Sequence, residues 1–235
     1  MLLGSPDETA YDLKFSLLRI PVRVHPLFWL IMVMISGNVE NLRNALVFVA
    51  CAFVSILVHE MGHGLSGRLL GDEPVGIVLY GMGGFCAFQT NRITRWRRVF
   101  MLVCGPGAGF VLFGLVLALV AVQGWPRNPI LNIATHDLLN INLLWGILNL
   151  FPLWPLDGGQ ITGTVLDMVS PRSGMRWAHV VSLLMAGLCA VLAWMLLHDV
   201  FMTLWFGFFG LINFQVLQRL HAAPWQADDP DGWRQ

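Results

Sequence analysis

His59, Glu60, Met61, Gly62 and His63 form one run within a long apolar stretch. On a helix, residues i and i+4 share a face, so His59 and His63 present two imidazole nitrogens to one zinc ion. Glu60 is the next residue round the helix and reaches a water at that metal. This is the H-E-x-x-H spacing of metalloproteases. Neutral imidazole suits zinc, and a carboxylate can take a proton from water that the metal acidifies. Glu60 lies roughly 12 Å deep at helical rise, counted from the polar end of the stretch. A Glu and two His at such depth are costly unless paired or metal-bound. The competing reading is a buried polar cluster that locks helices together.

A catalytic zinc site takes three protein ligands and keeps one open position. Carboxylates are scarce in the apolar segments. Asp157 stands out, in Asn149-Leu-Phe-Pro152-Leu-Trp-Pro155-Leu-Asp157-Gly158-Gly159. Pro152 and Pro155 stop a helix, and the glycines let the chain turn. The expectation is a carboxylate on irregular backbone, which inside a membrane lines a polar cavity. The competing reading is a helix cap on an ordinary loop.

The elements that must position these residues follow from composition. Of the 235 residues, 56% are hydrophobic and only 12% charged, with mean hydropathy +0.66. A soluble domain carries about 25% charged residues. This excludes a soluble enzyme, a disordered chain and a nucleic-acid binder, the last also because the net charge is +0 and no basic surface faces phosphate. Cys51, Cys86, Cys104 and Cys189 are scattered, which argues against a disulfide framework or cysteine metal cluster. The first twenty residues do not read as a secretory signal peptide.

Six apolar segments can be drawn, at 25–37, 44–67, 98–122, 138–153, 177–197 and 200–217. Most can cross a hydrocarbon core of about 30 Å. The first and fourth are marginal, the first being extended by an amphipathic stretch before it. With the amino terminus in the cytoplasm, 12 of the 14 basic residues lie inside and only Arg43 and Arg127 outside. The positive-inside rule thus predicts six helices with both termini cytoplasmic. Residues 73–89 are apolar but too short to span. Val75, Ile77 and Leu79 alternate as in a strand, and 81–84 is glycine-rich. A β-hairpin dipping into the bilayer edge is expected, against a surface hairpin covering the core. The expected fold is an all-α polytopic membrane protein of about six transmembrane helices, with a short membrane-associated β-hairpin between helices 2 and 3. Residues 1–220 would form a single transmembrane domain, and 221–235 a polar, disordered cytoplasmic tail.

The pairing of H-E-x-x-H in one membrane helix with N-x-x-P-x-x-P-L-D-G-G before a later one resembles the site-2 protease family of intramembrane zinc metalloproteases. The resemblance covers roughly residues 10 to 220. It implies that His59, His63 and Asp157 bind one Zn2+ per chain, that Glu60 is the catalytic base, and that Asn149 helps hold substrate or transition state. It implies single-pass membrane-protein substrates cut in or beside the bilayer to release a cytoplasmic fragment. Signal-peptide remnants and anti-sigma or pro-sigma factors are the obvious classes. A location in the cell (inner) membrane goes with it. The segment 73–89 resembles the family's glycine-rich reentrant hairpin. Gly105-Pro106-Gly107-Ala108-Gly109 resembles its G-P-x-x-N segment, with Gly109 where Asn is usual. No PDZ or CBS domain is visible in these residues, as in a minimal catalytic core.

Two other readings stand beside this one. A non-catalytic zinc-binding membrane protein or metal transporter would use the same ligands. A transporter needs a path through both leaflets, and the outer halves of the helices hold almost no ionisable residues. Membrane proteases of the prenyl-protein-processing type also use H-E-x-x-H but take a later Glu as third ligand, and here Glu73 is the last glutamate. His25, His136, His198 and His221 read as interfacial, and His179 as packing or interfacial. Asn140, Asn142, Asn213 and Gln215 read as interhelical hydrogen-bonders.

Overall fold

A computed structural model describes residues 6–37, 41–88 and 94–222. The chain divides into two compact units, Ser5–Leu148 and the residues from Asn149 onward.

The first unit begins with strands. β1 (Leu13–Leu17) and β2 (Ile20–Val24) form an antiparallel hairpin. Its two turn residues, Leu18 and Arg19, both have positive φ (48° and 63°), as a two-residue type I′ turn demands. β2 runs parallel to β3 (Pro74–Tyr80), which turns antiparallel into β4 (Gly83–Phe88). The order is β1-β2-β3-β4. The expected hairpin is therefore present as half of a four-stranded mixed sheet. The stretch before the first apolar segment is strand rather than a helical extension. Ile77 and Leu79 are buried as their alternation predicts, but Val75 is exposed. A register irregularity between Pro74 and Gly76 reverses the alternation there. Gln89, the last residue of the expected hairpin, lies outside the described residues.

Helix α1 (Pro26–Ile35) is capped by His25, whose Nδ1 accepts the Leu27 N–H at 3.2 Å. At ten residues it is about 15 Å long and cannot cross a bilayer. Helix α2 (Leu42–Leu69) starts at Asn41, which accepts the Asn44 N–H at 3.3 Å. It ends where Gly71 takes φ 84° and the Asp72 N–H returns to the Gly67 carbonyl at 2.9 Å. One face of α2 (Val49, Ala52, Ile56, Leu57, Met61) packs with Ile20, Val22 and Val24 of β2, Ile77 and Leu79 of β3, and Phe28 and Met32 of α1. This core fixes the depth and rotation of the helix that carries His59 and His63. Helices α3 (Arg95–Gln123) and α4 (Pro129–Asn149) follow, with Asn128 capping α4 through Ile130 N–H at 2.9 Å.

The second unit holds α5 (Asp157–Val169), α6 (Gly174–Leu192) and α7 (Val200–Ala222). The end of α6 widens into a π-helical turn (Ala193–Leu197). His198 then adopts φ 51°, and Asp199 caps α7 through Met202 N–H at 3.0 Å. Helix α5 falls between the fourth and fifth apolar segments, where no helix is expected. Of the tail, His221 and Ala222 complete α7, and 223–235 lie outside the described residues.

Among the described residues, four helices are long and apolar enough to cross a membrane: Leu42–Leu69, Arg95–Gln123, Gly174–Leu197 and Val200–His221. The two segments read as marginal, now α1 and α4, fall short of that measure. Helix α4 carries Asn132, His136, Asp137, Asn140 and Asn142 along its length. On α3, Val103, Val111, Leu115, Leu119 and Val122 are exposed, as are Leu184, Leu188 and Val191 on α6. Each would cost about 1.5–3 kcal/mol in water, and a lipid surround removes that cost.

The β1–β2 turn is strained, because a non-glycine residue at positive φ costs about 1–2 kcal/mol. Replacing Leu18 by Asn and Arg19 by Gly keeps the backbone and the Leu18 carbonyl that accepts from Arg68 Nη1 at 2.9 Å. The double variant should unfold about 2–4 °C higher in detergent. A lower midpoint would contradict the turn geometry.

Candidate metal centre

His59, Glu60 and His63 are all buried on α2, at 4%, 5% and 7% exposure. Their spacing puts the two imidazoles one turn apart, edge to face, with ring centroids 4.9 Å apart and planes at 79°. The two Nε2 atoms face each other at 3.2 Å. Two nitrogens each about 2.0–2.1 Å from a tetrahedral zinc stand about 3.3 Å apart. The pair thus already has the separation that one zinc ion requires.

Tautomer follows from the other ring nitrogen. His63 Nδ1 lies 2.9 Å from the Met101 carbonyl oxygen on α3. A carbonyl can only accept, so Nδ1 carries the proton and neutral His63 offers its Nε2 lone pair. This is the outer hydrogen bond that zinc-ligating histidines usually make, and it also fixes the ring's plane.

The space around the two Nε2 atoms is kept by glycine. A Cβ on Gly105 of α3 would run into His63 Nε2 and Cε1, and would sit 2.9 Å from His59 Nε2. Gly62, between the histidines, lets α3 approach so closely that a Cβ there would strike the Cys104 carbonyl and Ala108. Small residues are how membrane helices gain such contact. A Cβ on Gly84 of β4 would overlap the Glu60 carboxyl group. The sheet therefore covers the catalytic-base candidate with bare backbone. Higher on α2, Ser55 Oγ accepts a hydrogen bond from Asn142 Nδ2 of α4 at 2.9 Å. Asn142 is buried and its Oδ1 lies 3.5 Å from where a Gly109 Cβ would be. Two nitrogen donors, a carboxyl group beside them and a cradle kept empty of side chain fit a metal of zinc's preferences.

In the second unit, Asn149 closes α4 and Asp157 opens α5, both at 7% exposure. Asp157 therefore sits in the first turn of a helix, where the macrodipole favours a negative charge. The irregular backbone expected around it is confined to 150–156. Gly158 and Gly159 are helical rather than turn-forming. Their lack of a Cβ lets α5 start directly against the Leu150 and Phe151 carbonyls and the Leu153–Trp154 backbone.

The remaining candidates have other partners. Glu73 pairs with Arg68 at 3.1 Å. His25 caps α1, and His136 stacks on Trp125 at 4.3 Å. His179 bonds Asn213 at 2.7 Å. Gly105 and the glycine-rich 81–84 stand out in the sequence, but the part that Gly84, Gly105 and the Met101 carbonyl play here arises only from packing.

The cradle can be tested directly. Gly105→Ala puts a methyl group against both imidazoles and should leave less than a tenth of the bound zinc per chain. Gly107→Ala, where nothing lies within 4 Å, should keep it. Metal analysis of both purified variants checks this, and equal zinc in the two would contradict the cradle.

No family model matches the sequence. A zinc metalloprotease of Methanocaldococcus jannaschii is 29% identical over 162 residues, covering 65% of this chain and 44% of the relative. A Synechocystis sp. relative is 30% identical over 170 residues, 66% of this chain and 44% of its own length. The chain spans under half the length of these relatives. The solved site-2 protease of M. jannaschii superposes with TM-score 0.61 at 23% identity, covering 88% of this chain and 95% of that one. The expected fold, an all-α polytopic protein with a small sheet element, is thereby confirmed. Taken with the four bilayer-length apolar helices among the described residues, these likenesses make the chain an integral membrane protein similar to zinc metalloproteases, with the fold of a site-2 protease.

Proposed function

We propose that this chain is an intramembrane zinc metalloprotease. It cleaves membrane-embedded protein substrates in or near the bilayer and releases a cytoplasmic fragment. The observation that carries the reading is the His59–His63 pair, with Nε2 atoms 3.2 Å apart and one tautomer set by the Met101 carbonyl. Glu60, the next residue round the same buried stretch of α2, is covered by Gly84.

His59, His63 and Asp157 would hold one Zn2+. The two imidazoles come with the helix, and Asp157 is the buried carboxylate of the second motif. When bound, zinc polarises the scissile carbonyl and lowers the pKa of water at the site. Glu60 takes the proton from the attacking water and gives it to the leaving amine, so it ends the cycle as it began. Asn149 is proposed to donate a hydrogen bond to the substrate carbonyl oxygen as charge develops there.

A transmembrane helix hides its amides in i→i−4 bonds, so a substrate must unwind before it is cut. Strand β4 is the last strand of the sheet among the described residues, and its outer edge could hold the extended segment by strand addition. Gly84, which backs Glu60, lies on this strand, so a segment held there would run beside the proposed base. Single-pass proteins suit this mode. The excess of arginine in the expected cytoplasmic loops supports a cell-membrane location with both termini inside. We take residues 1–220 as one catalytic domain, with 221–235 as its tail.

Glu60→Gln should retain one zinc per chain and lower cleavage by at least a hundredfold. Asp157→Ala should lose zinc at chelator concentrations that leave the parent loaded. Gly84→Val should keep zinc and lose most cleavage by displacing the Glu60 carboxyl. Comparing membrane-protein fragments in cells expressing parent or Glu60→Gln reads the first of these. Fragments cut in or beside a transmembrane segment and seen only with the parent would support the protease. Identical fragments at equal zinc and expression would instead favour a non-catalytic zinc-binding protein or metal transporter.

A further inference from the structure

The loop 150–156 before Asp157 contains Pro152 and Pro155, which have no N–H to give. Its internal bonds are few: Leu153 N–H to Phe151 O at 2.7 Å and Leu156 N–H to Leu153 O at 2.8 Å. Gln160 Nε2 of α5 gives a hydrogen bond to the Pro155 carbonyl at 3.2 Å, and from α6 and α7 the loop is held by three side chains that no catalytic motif includes. Ser182 of α6 accepts the Trp154 N–H at 2.9 Å and leans its hydroxyl on the Pro152 carbonyl at 3.4 Å. Asn213 of α7 donates through Nδ2 to the Trp154 carbonyl at 2.8 Å. The same Nδ2 donates to the Phe209 carbonyl one turn back, also at 2.8 Å. With both amide protons given, Asn213 Oδ1 must accept, and it lies 2.7 Å from His179 Nδ1. His179 therefore carries its proton on Nδ1 and locks the amide against flipping. The Trp154 ring packs on His179, with centroids 5.4 Å apart. Ser182 and Asn213 are fully buried and His179 is 3% exposed.

Both main-chain polar groups of a single residue, Trp154, are thus clamped by two different helices three residues before Asp157. Such a clamp removes freedom from the proline-rich turn that sets where Asp157 begins α5. We propose that His179, Ser182 and Asn213 are positioning residues that fix the direction of the Asp157 carboxylate. His179 acts through Asn213, and Asn213 and Ser182 act through the main chain of Trp154. None of the three touches a reacting atom. The link to zinc rests on Asp157 being a ligand; the clamp on the loop does not.

Asn213→Asp is nearly isosteric and keeps the acceptor for His179 while removing the donor to Trp154. Ser182→Ala removes the other hold. Phe209→Leu is the comparison, since it weakens the α7 core at a 1% exposed site but leaves every bond to the loop. The first measurement is amide hydrogen exchange over 150–160 in metal-free protein in detergent micelles. The second is zinc affinity by chelator competition, with Asp157→Ala alongside. Asn213→Asp and Ser182→Ala should each speed exchange in this segment about tenfold. Each should also weaken zinc about 10–100-fold, the usual effect of losing an outer-shell partner. Phe209→Leu should lower the unfolding midpoint and change neither. Unchanged exchange in Asn213→Asp, or an equal rise in Phe209→Leu, would overturn the clamp. Faster exchange with zinc affinity unmoved, in both Asn213→Asp and Asp157→Ala, would keep the clamp and remove Asp157 from the ligand set.

Discussion

Two imidazole nitrogens facing each other at 3.2 Å inside an apolar helix are the constraint on which the rest of the first unit depends. With its Nδ1 proton held by the Met101 carbonyl, His63 offers only a lone pair towards His59. Such a pair needs a shared proton or a shared cation. A cation site in a bilayer-length helix must be walled by protein, because lipid supplies no polar group. The walls are α3 on one side and β4 on another, and each approaches through glycine. Gly62 and Gly105 let α3 in, and Gly84 lets the sheet in. A side chain at any of these positions would push a wall away or fill the cradle.

The sheet serves this arrangement as much as the helices do. Its buried face packs on α2 through Ile20, Val22, Val24, Ile77 and Leu79. That core sets the rotation of α2, and rotation decides which way both histidines point. The second unit solves a similar problem differently. There the carboxylate lies at the start of a helix, behind a loop that proline deprives of donors. Side chains from α6 and α7 supply the missing hydrogen bonds. A hydrogen bond of this kind contributes about 1 kcal/mol net, but leaving the Trp154 N–H and carbonyl unmet in an apolar surround would cost more.

The sequence was most legible where chemistry is local. His59, Glu60 and His63 follow from helical periodicity alone, and Asp157 from a proline–glycine context within one short segment. The strands β1 and β2 were also written plainly, as Leu13, Phe15, Leu17 and then Ile20, Val22, Val24. An apolar helix begins at once after them, so in the sequence the stretch resembles its amphipathic lead. Helix α5 was missed for a different reason. Gly158 and Gly159 suggested a turn, whereas they are needed for close approach to the loop backbone. The glycine cradle and the His179–Ser182–Asn213 clamp were not legible at all. Their partners are 28 to 59 residues apart in the clamp, and in the cradle they include a backbone carbonyl, which has no letter of its own.

The most direct test of the account is zinc-edge X-ray absorption on the purified, zinc-loaded protein in detergent. The account predicts nitrogen and oxygen only as the nearest neighbours of zinc, at about 2.0–2.1 Å, with the multiple-scattering signature of two imidazoles and none of sulfur. A sulfur shell at about 2.3 Å would bring in one of the cysteines, and a shell without imidazole would remove His59 and His63. Either result would contradict the metal centre from which the proposed function is built.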